Sequence, residues 1–418
     1  MTAATLAQPA HLPRRMAVVV FLAFALAYFF SALVRAITAT LSPTLLTEFS
    51  LNAQDLGLLA GGYFLGFSLT QLPLGRLLDR HGPKKVVLAF LSFAVLGCLA
   101  FSWADSFHGL LAARVLCGMG VSACLMAPLT GYRRWFDAST QLRTNSWMLM
   151  TGSLGMVAAT LPVQWLLPVL GWRGLFWGLA ACIVLAMGAL AWRVPGWAAP
   201  AAPAGAAQPA VGYAQIARHP YFRQMVGIGF VFYAGMVAIQ TLWAGPWMVK
   251  VAGATPAQAA QGLFGINLCM LVTFWLWGVV NPHLARRGIR PESLIGWGLP
   301  ISLVVIVAIA WLGPRAGWLL WALFCVSSTF VALSQPAVAL ALPPQAAGRA
   351  LSAYNLVIFG GVFVVQWGIG LLIDALGWFG GSEVARYRGA IAIFGTCGVL
   401  AYLVFLRAHL RRRAARAG

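Results

Sequence analysis

The sequence is short of charge. Only 9% of its 418 residues are Asp, Glu, Lys or Arg, and only eight are acids, while 61% are hydrophobic. A water-soluble domain of this size needs a far denser charged coat. That excludes a soluble globular fold, and lipid must solvate most of the surface. None of the acids (Glu48, Asp55, Asp79, Asp105, Asp137, Glu292, Asp374, Glu383) and none of the six histidines sits in the middle of a long apolar run. A polytopic membrane enzyme would gather acids, histidines or nucleophiles near one face. No such constellation is visible, so no enzymatic activity and no cofactor is expected. A metal site is not expected either: Met148, Met150 and Met156 have no histidine beside them at helical spacing. The seven cysteines lie inside apolar runs rather than at loop spacings suited to a disulfide or a metal, and read as small core residues. The formal charge of +20 does not indicate nucleic acid, because the basic residues sit in short clusters between apolar runs.

Those runs dominate the sequence. About 20 apolar residues cross roughly 30 Å of hydrocarbon, and twelve stretches qualify: 16–39, 55–75, 86–103, 109–130, 145–168, 174–192, 224–247, 260–280, 293–312, 317–341, 350–373 and 389–406. Arg14 and Arg15 precede a first run too long for a signal core, so it is expected to remain as a span. Residues 194–222 open with Pro-Gly-Trp and continue in Ala/Pro-rich composition, which suits a linker. The expected organisation is a first six-helix unit over 1–193, a linker over 194–222 and a second six-helix unit over 223–418. A shift of 206 residues places Arg80, Gly82 and Lys84 on Arg286, Gly288 and Arg290, and Leu170-Gly171-Trp172 on Leu376-Gly377-Trp378. This supports two duplicated halves. With the N-terminus inside, 21 Lys and Arg fall on the inner side and 5 on the outer, which predicts that both termini and the linker are cytoplasmic.

The loop between the second and third runs reads Gly75-Arg76-Leu77-Leu78-Asp79-Arg80-His81-Gly82-Pro83-Lys84-Lys85. It resembles the loop signature of the major facilitator superfamily, with Pro83 standing where a basic residue is usual. The fourth run carries Arg114-Val115-Leu116-Cys117-Gly118-Met119-Gly120, which resembles that superfamily's fourth-helix motif. The resemblance implies an all-α, polytopic membrane protein of twelve helices in two pseudo-symmetric six-helix bundles. It further implies a monomeric secondary transporter in a bacterial inner membrane, whose partners are the lipid bilayer, a small-molecule substrate, and protons or a counter-transported anion. It casts Gly75, Asp79, Arg80, Gly82 and Arg134 as a gating latch on the cytoplasmic side, with Asp79 accepting bonds from a facing helix N-terminus and from Arg134. The equivalent stretch of the second half, Asn281 to Gly288, lacks the acid. The fifth-helix Gly-Pro motif of many drug/proton antiporters is not present, although Gly152 and Gly155 are.

The first run carries a polar stripe, Tyr28, Ser31, Arg35, Thr38 and Ser42, on one helical face. The seventh carries Tyr233, Met236, Gln240, Trp243 and Trp247 with the same steps. In the family these two helices are related by the pseudo-symmetry and flank the central cavity. Arg35, followed by Pro43, resembles the first helix of the organic-anion branch, while Gln240 stands where phosphate-ester transporters have a second arginine. Arg35, Tyr28, Arg114, Tyr233, Gln240 and Trp243 are therefore the candidate substrate-binding residues. The intramembrane region holds two arginines, Arg35 and Arg114, and no acid to neutralise them. Unpaired buried charge is costly, so the expected substrate is an anion. The alternative is an exporter of amphipathic or drug-like compounds. The bland readings are a snorkelling Arg35, a packed tryptophan stripe, and interhelical hydrogen bonds at Gln164, Asn267, Asn355 and Gln366.

Overall fold

A computed structural model describes residues 12–197 and 212–417, and those residues are helical with short connections. Among the described residues, ten helices are long and apolar enough to cross a membrane. Two of these, Gln71–Trp103 and Leu161–Arg193, are each interrupted by a left-handed glycine, Gly82 at φ 77° and Gly171 at φ 64°. Side chains rarely adopt that conformation, which makes these glycines natural helix breaks. Pro83 follows Gly82 and restarts the helix from its first turn. Before each break the helix continues a preceding one, Ala53–Leu69 or Ala138–Ala158. Divided at the two glycines, the described residues make the twelve crossings that the apolar runs predict. Span 1 is Arg14–Glu48, span 2 is 53–81, span 3 is 83–103 and span 4 is Phe107–Trp135. Span 5 is 138–170, span 6 is 172–193, span 7 is Pro220–Lys250 and span 8 is Pro256–Arg286. Spans 9 to 12 are Pro291–Leu312, Trp318–Leu340, Pro344–Gly377 and Glu383–Ala417. With an even number of crossings, the start of span 1 and the end of span 12 lie on one face, here the terminal face. The other is the distal face.

Small residues set the helix spacing, as expected where lipid provides no hydrophobic drive between helices. Within the first half, Gly118 meets the backbone carbonyl of Tyr63 and Gly120 meets Ala94 so closely that a Cβ on either would overlap them. The glycines of the fourth-helix motif thus let spans 2 and 3 close on span 4. Gly152 and Gly155 do the same for span 1 against span 5, facing Tyr28 and the Phe29 carbonyl. The seam between halves is built mainly by spans 2 and 11. Gly57 faces the Gln366 carbonyl, Gly370 faces the Ala53 carbonyl, and Gly245 of span 7 faces Ala39 of span 1. All three contacts lie toward the distal face.

Both ends of the expected linker, 194–222, carry packed residues. Val194 is buried, its carbonyl accepts a bond of 2.9 Å from Lys84 Nζ, and the Trp197 ring packs against Gly82. The Pro-Gly-Trp stretch is thus part of the first half's terminal face. At the other end Tyr213–Arg218 is a short helix with Ile216 fully buried, and span 7 begins at Pro220. The rest of that stretch, 198–211, lies outside the described residues.

Candidate functional site

Arg35 stands thirteen residues before the distal end of span 1, about 20 Å at 1.5 Å per residue. That is too deep for its side chain to snorkel out. The guanidinium is faced by the phenols of Tyr28, Tyr63 and Tyr233, which come from spans 1, 2 and 7. Its Cζ lies 5.9 Å from the centroid of the Phe67 ring. Its Nε is buried without a hydrogen-bond partner, and no carboxylate pairs with it among the described residues. Around it the aromatic rings form a continuous wall. Tyr63 and Phe67 stack at 6.3 Å, Phe67 meets Phe359 at 4.5 Å, and Phe359 meets Tyr233 edge-on at 6.1 Å. The group therefore joins one cation, three phenols and apolar ring faces drawn from both halves. Such a set suits a ligand with a planar apolar body and a negative end.

Arg114 is near but not within this group. It is fully buried, donates from Nη1 to the Val34 carbonyl at 2.9 Å, and lies 5.2 Å from the Tyr63 ring centroid. Tyr63 therefore separates the two arginines, and Arg114 reaches the site through its field rather than by direct contact. Its Nε and Nη2 have no partner, so the pair leaves the first half with two cations and no counter-charge at this depth.

The seventh-span stripe does not hold as one face. Gly229–Tyr233 and Ile239–Trp243 are π-type turns flanking a single α turn. Each wider turn changes the register from which the equal spacing was read. Tyr233 faces Arg35, but Gln240 Nε2 donates to Asn267 Oδ1 of span 8 at 3.0 Å, and Trp243 Nε1 donates to the Gln366 carbonyl of span 11 at 3.0 Å. Gln240 and Trp243 hold the distal side together rather than lining the Arg35 group. Asn267 and Gln366 make the interhelical bonds foreseen for them, Gln366 Nε2 to Thr241 Oγ1 at 2.9 Å. Asn355 donates to Gln71 at 3.4 Å across the seam.

On the terminal face Asp79 is exposed and faced by Arg349, at the start of span 11, and by Arg133. Arg134, the partner foreseen from sequence, instead lies over the Trp197 ring, its Cζ 4.9 Å from the centroid. Gly82 is held by the same ring, Arg80 is exposed, and Gly75 faces Ser352 of span 11. A second acid plays a corresponding part at the other end of the same helix pair. Asp374, late in span 11, accepts the Gln54 amide in the first turn of span 2 at 2.7 Å. An Asn52–Asp55 capping box completes that N-terminus, as its spacing predicts.

Sequence reading missed Tyr63, Phe67 and Phe359 in the site, Trp197 at the latch and Asp374 at the distal seam. Tyr63 follows Gly61-Gly62 and Phe359 precedes Gly360-Gly361. An aromatic beside paired glycines in a span was the available signal.

The model of the Major Facilitator Superfamily matches residues 24–366. The 4-hydroxybenzoate transporter PcaK of Pseudomonas aeruginosa is 25% identical over 86% of this chain and 86% of that protein. A probable L-galactonate transporter of Escherichia coli is 27% identical, but that match spans only 32% of this chain and 29% of the relative. The hexuronate transporter of the same species is matched over 33% of its length. Among solved structures, a bacterial homologue of the human lysosomal transporter Spinster superposes with a TM-score of 0.76 at 17% identity, covering 95% of this chain and 98% of its own. A D-xylose-proton symporter gives a TM-score of 0.74 at 16% identity, over 93% and 97%.

Proposed function

The chain belongs to the major facilitator superfamily, and from that premise we propose that it moves a small organic anion, a planar carboxylate above all, across a bacterial inner membrane by alternating access. The observation that carries this reading is Arg35, a deep guanidinium with three phenols around it and no carboxylate beside it among the described residues. A bound carboxylate would supply the missing counter-charge, and the low dielectric would strengthen each contact. The ring faces of Phe67 and Phe359 would take the apolar body. Because the phenols come from spans 1, 2 and 7, a bound anion would bridge the two halves, which suits a ligand that couples binding to their rocking. Several relatives bear names of acids or their transporters, namely 4-hydroxybenzoate, hexuronate and L-galactonate, which agrees with this choice.

The two six-helix halves rock about the seam of spans 2 and 11. The glycine contacts and the Asp374–Gln54 bond would seal the distal side, and Asp79 facing Arg349 would latch the terminal side. The 21:5 charge bias makes the terminal face cytoplasmic. A periplasm-specific reporter fused after Gly418 should be silent and a cytoplasmic one active. The described residues offer no mid-span acid or histidine for proton coupling, so coupling would rest on an acid at a helix end or on exchange against a second anion. A second reading, export of amphipathic compounds, is favoured by the aromatic wall and by a chloramphenicol resistance protein of Streptomyces lividans that is 26% identical over 83% of this chain. A thermal-shift panel separates the two, because a ligand that binds the folded state raises its melting temperature. Aromatic and sugar carboxylates should raise it. A shift with uncharged chloramphenicol and none with any carboxylate would overturn the anion reading.

A further inference from the structure

A cavity of about 410 Å³ opens on the terminal face of the second half, remote in sequence and in position from Arg35. It lies between the start of span 7, the turn joining spans 8 and 9, and the end of span 12. Its lining brings together Arg290, His409 and Arg412, with Glu292 as the acid among them. Glu292 is engaged by the Tyr221 hydroxyl, and the Arg412 guanidinium sits 5.3 Å from the Tyr221 ring centroid. Span 9, 22 residues long, begins at this point with no side chain capping its N-terminus. Its first residue, Pro291, has no N–H, the Ser293 and Leu294 amides already donate to the Arg290 carbonyl at 3.1 and 3.3 Å, and Glu292 stands in the first turn, so an anion there would be held by side chains rather than by the helix end.

Gln224 gives the independent observation. It lines the cavity, is only 7% exposed, and neither its Nε2 nor its Oε1 has a hydrogen-bond partner. A buried amide with both ends unmatched costs free energy unless a ligand meets it. The donor wants an anionic oxygen and the acceptor wants a hydroxyl. A phosphate that carries or adjoins a hydroxyl offers both, and the two arginines match its charge. Trp297 in the same lining is 66% exposed, toward the lipid side of span 9. Exposed tryptophan of this kind marks the headgroup level of a bilayer.

We propose that this cavity binds a phosphate-bearing anion, held by Arg290, Arg412 and Gln224. The source is either the headgroup of an anionic phospholipid or soluble phosphate. The proposal needs only the membrane-spanning fold and is independent of what Arg35 binds.

The test uses the full-length protein, purified in detergent and delipidated. Phosphatidylglycerol, phosphatidylcholine or inorganic phosphate is added, and retention is read by native mass spectrometry beside a thermal melt. The parent should retain phosphatidylglycerol over phosphatidylcholine, and the Arg290→Gln/Arg412→Gln double variant should lose about tenfold or more of that preference, the order expected for two basic residues at an anionic surface. Stabilisation by inorganic phosphate, absent in the double variant, would support the same site with a soluble ligand. Gln224→Leu should weaken retention severalfold while melting no lower than the parent without additive. Equal retention of phosphatidylglycerol by the parent and both variants, with no effect of phosphate on any of them, would overturn the proposal.

Discussion

Replacing Arg35 by alanine removes the one guanidinium that three phenols face at the centre of the protein. A charge-assisted hydrogen bond contributes about 1.5–3 kcal/mol. A forked arginine–carboxylate pair makes two, so the loss should be on the order of 3–6 kcal/mol, or roughly two to four orders of magnitude in affinity. Arg35→Lys keeps the charge but not the planar fork, and it should lose about one of the two contacts, near tenfold to a hundredfold. The assay is uptake of labelled 4-hydroxybenzoate into proteoliposomes at matched protein, with binding read by thermal shift. Stability should move the other way from function. Because Arg35 has no carboxylate partner among the described residues, its removal relieves an uncompensated charge. Without substrate, the alanine variant should melt within about 1–2 °C of the parent or above it, the span of roughly 1 kcal/mol for a chain of this length. Uptake within threefold of the parent would refute the binding role. A collapse of the melt would instead make Arg35 a structural residue.

Three further outcomes test the gates and the breaks. Asp374→Asn removes the charge from the bond that caps Gln54 and should weaken the distal seal by about 1 kcal/mol, a fivefold population shift. An impermeant maleimide should then label a cysteine placed at Ala39 correspondingly faster, and unchanged labelling would remove Asp374 from the gate. Asp79→Asn should cut turnover by tenfold or so while binding persists, since the acid faces Arg349 and Arg133 rather than the Arg35 group; parental turnover at equal expression would leave the loop only a topological role. Gly82→Ala puts a Cβ into the Trp197 ring at a left-handed position and should cost more than about 2 kcal/mol, seen as a lower melting temperature or poor expression. A variant that melts like the parent would mean the loop repacks freely.

Much of this was legible because a bilayer leaves a chain few choices. Apolar length alone sets the crossings: the runs named in the sequence match the twelve spans, and the two glycines that divide Gln71–Trp103 and Leu161–Arg193, Gly82 and Gly171, are visible as loop residues. A deep arginine with no acid near it in the sequence is conspicuous at once, and so is the Asn52–Asp55 cap, whose partners are three residues apart. Contacts between distant segments followed different physics. Whether Gln240 looks toward Arg35 depends on two π turns that equal spacing cannot reveal, and they send it to Asn267. Arg134 and Asp79 share one loop cluster, yet packing gives the first to Trp197 and leaves the second facing Arg349 and Arg133, because the Pro-Gly-Trp stretch folds back under Gly82. Tyr63 and Phe67 of span 2 and Phe359 of span 11 gather around Arg35 where Gly118 lets spans 2 and 4 touch and Gly61 lets spans 2 and 11 touch. The sequence by itself determined how many times the chain crosses and where it has charge to neutralise. Helix rotation and close approach, set by side-chain volume across the interfaces, decided which residues meet that charge.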